Sequence, residues 1–144
     1  MPVYVHETSF RVRYAETDQM GIVHHTAYIV WFEEGRSDFL RAYNMPYSRM
    51  EREGIVLPVT ECYARYVAPA RYDEVVTVRT WIQEFKSRKI VFAYEVIGED
   101  GRLCAEGYTA HICIDPEGRV QRFPKTLREA AQHPPHEVNQ HERA

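Results

Sequence analysis

The spacing of apolar and polar side chains changes along the chain, and each spacing predicts a different element. In residues 4–14 the bulkier side chains occupy alternate positions, which is typical of a strand with one buried face. Residues 14–21 are mostly polar and end in a glycine, which indicates a loop. In residues 25–43 the apolar side chains recur three and four positions apart and form one helical stripe, namely Tyr28, Trp31, Phe32, Gly35, Phe39 and Tyr43.

Gly35 lies within this stripe, although glycine inside a helix costs about 1 kcal/mol relative to alanine. Its presence indicates that another segment of backbone passes close to the helix at that point. We therefore expect the helix to lie against a sheet rather than on the surface.

Four more strands are predicted after the long helix. They cover residues 56–67, 74–85, 89–97 and 103–114, with turns at residues 68–73, 99–101 and 115–118. Shorter helices are predicted at residues 46–54 and 125–132. Five strands with the long helix inserted after the first predict an α+β domain with a largely antiparallel sheet. This single domain covers residues 1–132, and residues 133–144 are expected to form a polar, mobile tail.

Composition excludes several classes of protein. The net charge of -3 argues against a general nucleic-acid binder, which carries a basic excess. No apolar run approaches the roughly 20 residues that span a bilayer, so no membrane insertion is expected. The first ten residues lack the basic start and apolar core of a secretory signal. The three cysteines show no C-x-x-C spacing, so we expect reduced, mostly buried thiols and a cytoplasmic protein.

Asp18 lies in the loop that leads from the first strand into the long helix. The first turn of a helix leaves backbone N–H groups unpaired, and together with the helix dipole these groups stabilise a developing oxyanion. A carboxylate beside them can attack a carbonyl or activate a water molecule. The residues alone leave a second interpretation open, because Thr17 or Asp18 can equally serve as an ordinary loop or capping residue.

Residues 14–28, YAETDQMGIVHHTAY, resemble the signature of the 4-hydroxybenzoyl-CoA thioesterase family, especially its branch of Tol-Pal-associated short-chain acyl-CoA thioesterases. The resemblance continues through WFEEGRSDFL, YVAPARYDEVVTV, SRKIVFAYEV and ICIDPEGR, and it covers about residues 8–128. It implies the hot dog fold, in which a curled antiparallel sheet wraps round one long central helix. It also implies an enzyme that forms homodimers or homotetramers.

The resemblance assigns catalytic roles to two residues. Asp18 matches the catalytic aspartate of the family, which acts as nucleophile in some members and as general base in others. His25 occupies the position whose backbone N–H polarises the thioester carbonyl. Two departures from the family pattern are Ala27, where many relatives carry asparagine, and Glu16, where relatives often carry aspartate. Neither departure removes a catalytic group.

Four residues are implied to contact or shape the substrate site. Gly21 would let the loop approach the substrate closely, and Thr17 would orient the loop. Val23 and Tyr28 are the candidates for lining the acyl pocket, although the position of Tyr28 in the apolar stripe favours a place in the core.

Two glutamates on the predicted long helix have alternative interpretations. In a different hot dog branch a helix glutamate carries the catalysis, which makes Glu33 and Glu34 candidates. Glu33 and Arg36 also fit the Y-E-x-x-R pattern of the branch named above, and their spacing predicts a structural ion pair near an interface.

A basic cluster at the predicted turn between the third and fourth strands is the candidate site for the phosphates of coenzyme A (CoA). Lys86, Arg88 and Lys89 form this cluster, at a place where relatives often contact the nucleotide. A solvated hairpin explains the same three charges equally well. Arg119 and Arg122 are weaker candidates of the same kind.

No cofactor or metal site is predicted. The adjacent His24 and His25 cannot easily converge on one ion, and no H-x-x-x-H or H-E-x-x-H pattern is present. The histidines of the tail would give incidental metal affinity at most, namely His133, His136 and His141.

The sequence thus predicts hydrolysis of an acyl-CoA thioester to the free acid and CoA. Three alternatives keep the fold. They are hydrolysis of a thioester on an acyl carrier protein, dehydratase chemistry, and a non-catalytic binding module in a cell-envelope or lipid-synthesis assembly. The sequence does not decide the acyl group preferred.

Overall fold

The computed structural model describes residues 4–135 as five strands and three helices. In chain order they are β1 (His6–Arg11), α1 (His25–Ala42), α2 (Tyr47–Arg52), β2 (Val59–Tyr66), β3 (Val75–Phe85), β4 (Lys89–Ile97), β5 (Leu103–Ile112) and α3 (Lys125–Ala131). The first strand is shorter than predicted, because Tyr14–Glu16 forms a 3-10 turn. Most of the predicted tail, residues 136–144, lies outside the described residues.

The five strands form one sheet in the order β1-β3-β4-β5-β2, and every neighbouring pair is antiparallel. This confirms the predicted α+β class and antiparallel sheet. Helix α1, of 18 residues, packs on β1, β3 and β4. The implied single central helix is not confirmed, because α3 is a further helix of seven residues. None of the helices within residues 4–135 is long and apolar enough to cross a membrane.

The core lies between α1 and the sheet. Trp31, Phe32 and Phe39 of α1 are almost fully buried, and the ring of Phe32 stacks on Tyr94 of β4 with centroids 4.5 Å apart. Strand β2 is different, because it forms an edge of the sheet and nearly all of its residues are exposed. The thiols follow this division: Cys104 and Cys113 are buried, whereas Cys62 on β2 is exposed, and all three are free.

Gly35 marks the closest approach of α1 to the sheet. A Cβ atom at this position would lie 2.6 Å from Thr80 Oγ1 and 2.7 Å from Val78 Cγ1 of β3. The predicted close contact is therefore present, but β3 side chains rather than its backbone fill the space.

Replacing Gly35 by alanine is expected to destabilise the fold by up to about 2 kcal/mol. Overpacking typically costs about 1–3 kcal/mol, and the better helix propensity of alanine offsets about 1 kcal/mol of it. Urea denaturation would measure the change in the free energy of unfolding. Ser37→Ala on the same helix is the control, and a Gly35→Ala variant as stable as that control would contradict the steric explanation.

Candidate active site in the loop before α1

The loop between β1 and α1 closes on itself around Asp18. The backbone N–H of Asp18 donates to the Ile22 carbonyl at 2.9 Å, and the N–H of Gly21 donates to the Asp18 carbonyl at 3.0 Å. One carboxylate oxygen, Oδ1, accepts the N–H groups of Met20 at 2.8 Å and Ile22 at 3.3 Å. The other oxygen, Oδ2, has no hydrogen-bond or ion-pair partner within residues 4–135. One oxygen therefore holds the loop, and the second remains available for chemistry.

Gly21 adopts φ +79°, in the left-handed region that favours glycine. A Cβ atom there would meet nothing within 4 Å, so the turn itself requires the glycine rather than crowding around it. The hydroxyl of Thr17 donates to the Tyr14 carbonyl at 2.7 Å, which holds the start of the loop.

A second loop in the same chain has the same construction and shows what is different about Asp18. Oδ1 of Asp115 accepts the N–H groups of Glu117 and Arg119, and Gly118 has φ +87°. There, however, Oδ2 accepts a hydrogen bond from the Arg119 guanidinium at 3.1 Å, and the pKa of Asp115 is lowered mainly by its backbone hydrogen bond with Arg119. At the equivalent position the Asp18 loop carries Ile22, which cannot neutralise the carboxylate.

The Asp18 loop lies along the residues that lead into α1. The N–H of His24 donates to the Glu16 carbonyl at 2.9 Å, and Thr17 forms an antiparallel bridge with Val23. The N–H of Val23 in turn donates to the Ala70 carbonyl at 2.9 Å. These contacts place Asp18 beside the N-terminus of the helix.

The N-terminus of α1 has free hydrogen-bond donors. His24 is the N-cap, and its side chain makes no capping hydrogen bond. Within the part of the chain that the structure describes, the N–H groups of His25 and Thr26 have no acceptor. The His25 carbonyl accepts a hydrogen bond from the Tyr66 hydroxyl at 3.0 Å, which fixes the first helical turn to β2. This terminus can therefore receive an oxyanion.

A largely apolar cavity of about 370 Å³ opens beside this helix terminus. It is lined by Ile22, Val23, His25, Tyr28, Tyr66, Val67, Ala68 and Pro69. The Tyr28 hydroxyl accepts the Ala70 N–H at 3.1 Å, and burial raises the pKa of Tyr28 above its usual value, so the phenol stays neutral. Tyr66 was not predicted as a pocket residue from the sequence. The alternation of β2, which places Tyr66 on the same face as Ala64, could have indicated that it faces α1.

The family model of the thioesterase-like superfamily matches residues 12–131, which include the Asp18 loop, helix α1 and strands β2 to β5. The chain belongs to the thioesterase-like superfamily. A putative acyl-CoA thioesterase, YneP, from Bacillus subtilis is 39% identical over 115 residues, covering 80% of this chain and 83% of YneP.

Two solved structures place this superfamily member among hot dog thioesterases. A hypothetical protein, TT1821, from Thermus thermophilus has a TM-score of 0.83 at 44% identity, covering 90% of this chain and 96% of TT1821. A DHNA-CoA thioesterase from Staphylococcus aureus has a TM-score of 0.84 at 34% identity, covering 89% of each chain. These likenesses confirm the predicted fold family and the prediction of a thioesterase enzyme.

The predicted ion pair between Glu33 and Arg36 is absent from the described structure of this superfamily member. Glu33 and Glu34 are exposed, whereas Arg36 is buried and donates to the hydroxyls of Tyr47 at 2.6 Å and Tyr94 at 3.1 Å. The prediction was wrong because the two side chains lie on different faces of α1: Arg36 faces the sheet and Glu33 faces solvent.

The predicted CoA cluster lies far from Asp18 within one chain. Strand β3 begins at Val75, opposite Arg11 and close to the Asp18 loop, and ends at Phe85 beside the cluster. The ten residue steps between these ends span roughly 33 Å. Both Lys86 and Lys89 pair with Glu84, at 2.8 and 3.8 Å, whereas Arg88 is exposed.

A cavity of about 420 Å³ lies at that distant end, lined by Phe85, Lys86, Ser87, Arg128, Ala131 and Gln132. Arg128 of α3 was not predicted to belong to this basic site. The charges within the hairpin give no information about which helix lies beside it. Arg119 pairs with Asp115 at 3.1 Å, and Arg122 is exposed. Among the described residues, no three side chains of His, Cys, Asp or Glu converge as metal ligands would.

Proposed function

We propose that this protein hydrolyses acyl-CoA thioesters to the free acid and CoA, with Asp18 as the reacting carboxylate. One observation carries the proposal: among residues 4–135, neither Oδ2 of Asp18 nor the first N–H groups of the neighbouring helix α1 have a hydrogen-bond partner. A nucleophile or base beside preorganised oxyanion donors is the arrangement that acyl transfer requires.

The proposed chemistry begins with the thioester carbonyl oxygen accepting the His25 N–H, where the α1 dipole stabilises the negative charge that develops. Oδ2 of Asp18 then acts in one of two ways. As a nucleophile it forms a mixed anhydride with the acyl carbon, the C–S bond breaks, and water later hydrolyses the anhydride. As a general base it takes a proton from water while the water oxygen attacks the acyl carbon. The C–S bond then breaks, and the thiolate is protonated to give free CoA.

The acyl group would occupy the apolar cavity beside the helix terminus, against Val23 and Tyr28. The names of the relatives favour CoA as the carrier, since both YneP and the Staphylococcus aureus protein are described as CoA thioesterases. The motif in residues 14–28 favours the Tol-Pal-associated short-chain branch, acting on CoA thioesters in the cytoplasm.

A homodimer or homotetramer would complete the CoA site. Strand β2 pairs on one side only among the described strands, and its side chains Val59, Tyr63 and Tyr66 are about half exposed, so this edge is available for pairing with a second copy. Antiparallel pairing of two β2 strands would set the Asp18 end of one protomer beside the Lys86 end of its partner. The basic cluster would then serve the neighbouring site, and sedimentation would test the assembly.

Thiol release from a panel of thioesters tests the function. The panel contains short-chain, long-chain and aromatic acyl-CoAs, together with an acyl carrier protein thioester and an enoyl-CoA. We expect release of free CoA from at least one acyl-CoA. Release only from the carrier protein would favour the carrier-protein alternative, and hydration of the enoyl-CoA without thiol release would favour a dehydratase. Binding of thioesters without turnover would indicate a non-catalytic module.

A further inference from the structure

Glu16 lies two residues before Asp18 and is unusually enclosed for a carboxylate. Its side chain is only 9% exposed. Oε1 accepts the backbone N–H of Arg13 at 2.8 Å, and Oε2 accepts the indole N–H of Trp31 at 2.7 Å and the Arg13 guanidinium at 3.3 Å. Both oxygens are therefore used within the protein, so Glu16 is not free to act on a substrate.

The indole that Glu16 binds is a rigid anchor on α1. Trp31 is 2% exposed, and its ring packs edge-on against Phe10 at 5.5 Å and Tyr28 at 5.0 Å. A side chain this fully buried loses its alternative rotamers, so its N–H is fixed in position relative to the helix.

Glu16 thus ties the loop to the helix at two separate points. Its side chain binds Trp31 in the second turn of α1, and its backbone carbonyl accepts the N–H of His24 at 2.9 Å, just before the first turn. Asp18 follows on the same short loop. Two attachments restrict both the position and the orientation of the loop relative to α1. One attachment would restrict only the distance between the loop and the helix.

The Glu16 contacts are strong because the carboxylate is charged. Burial alone would raise the pKa of Glu16, but the hydrogen bonds from the Arg13 N–H and the Trp31 indole outweigh it and hold the pKa below its usual value. The group therefore remains an acceptor for all three donors at neutral pH, and charge-assisted hydrogen bonds are roughly twice as strong as neutral ones.

We infer that Glu16 is a positioning residue, which uses the Trp31 indole to hold the Asp18 carboxylate in register with the N–H groups at the start of α1. The inference rests on the proposed function. Misplacement of a reacting group by about 1 Å can reduce a rate on the order of a hundredfold, so a looser loop is costly for catalysis.

Glu16→Gln and Trp31→Phe test the inference, singly and together. Each is expected to lower kcat on the order of tenfold while KM changes by less than about twofold, because substrate contacts are retained. The double variant is expected to be no slower than the slower single variant, since both changes remove one interaction.

Asp38→Asn is the matched control. Asp38 also ties β1 to α1, by contacts with His6 at 2.6 Å and Thr8 at 2.9 Å, but these lie beyond the middle of the helix. It is expected to lower the melting temperature without lowering kcat. An equal loss of kcat in Asp38→Asn, or none in Glu16→Gln, would overturn the inference.

Hydrogen exchange of residues 14–24 gives a second measurement that does not depend on activity. Glu16→Gln and Trp31→Phe are expected to accelerate exchange of the His24 amide, and Asp38→Asn is expected to leave it unchanged. Unchanged exchange in the first two variants would reject the positioning role. Full activity in Asp18→Asn, with altered exchange in Glu16→Gln, would instead reject the role proposed for Asp18 and leave the loop attachment intact.

Discussion

Replacing Asp18 by asparagine is expected to lower kcat for thioester hydrolysis by at least about a hundredfold, the scale of a lost general base. The amide oxygen of asparagine can still accept the N–H groups of Met20 and Ile22, so the loop keeps its shape. What disappears is the negative charge on the second oxygen. Thiol release under saturating substrate, with the melting temperature recorded for each protein, would separate lost chemistry from lost folding.

Asp115→Asn is the control for this experiment. Asp115 makes the same two backbone hydrogen bonds through Oδ1 and closes the same kind of loop, at the opposite end of the sheet. It also loses the ion pair with Arg119, so it is expected to lose at least as much stability as Asp18→Asn and to keep full activity. Wild-type activity in Asp18→Asn would show that the reacting carboxylate lies elsewhere, and the exposed Glu33 and Glu34 would be tested next.

The sequence predicted elements well where one physical effect determined the local pattern. Alternation predicted β1, turn residues delimited the other strands, and the three-and-four spacing predicted α1 to within one residue of its observed end at Ala42. Gly35 correctly predicted a close contact with the sheet, because only steric crowding explains a glycine within a buried stripe. In each case the information lay in neighbouring residues.

The site was only partly predictable, since its decisive features depend on distant residues. The motif indicated Asp18, but the free Oδ2 depends on what faces it in three dimensions. The three basic residues of the cluster could be identified from the sequence. Their distance from Asp18 could not, because it depends on how the strands are arranged in the sheet. The prediction of a Glu33–Arg36 ion pair was wrong for a related reason. A spacing of three residues permits contact, but Arg36 is buried against the sheet.

Arg36 heads a buried hydrogen-bond chain whose direction is fixed by its ends. A guanidinium can only donate and a carbonyl can only accept. Arg36 donates to the Tyr94 hydroxyl, Tyr94 lies 2.6 Å from the Thr109 hydroxyl, and Thr109 lies 2.8 Å from Nε2 of His111. Nδ1 of His111 lies 3.1 Å from the Leu57 carbonyl. Nδ1 therefore carries a proton. Burial and the charge of Arg36 lower the pKa of His111, so the imidazole is neutral at neutral pH and Nε2 accepts from Thr109.

Acid is expected to destabilise the fold through His111. Burial, together with the positive charge of Arg36, lowers the pKa of His111 from 6.5 to about 4. Below pH 6.5 His111 is protonated in the unfolded chain but stays neutral in the folded chain. The free energy of unfolding therefore falls as the pH drops towards 4. The gap of roughly 2.5 pH units corresponds to about 3 kcal/mol.

Urea denaturation at several pH values between 7.5 and 4 would measure this loss, in wild type and in His111→Gln. The variant lacks the titrating ring but retains every other group, so the difference between the two curves isolates His111. Wild type is expected to lose about 3 kcal/mol more than the variant over this range. His24→Gln, at an exposed position, gives the contribution of a histidine outside the core. Parallel curves for wild type and His111→Gln would mean that the core accepts a charged imidazole, and the hydrogen-bond direction deduced above would have to be reversed.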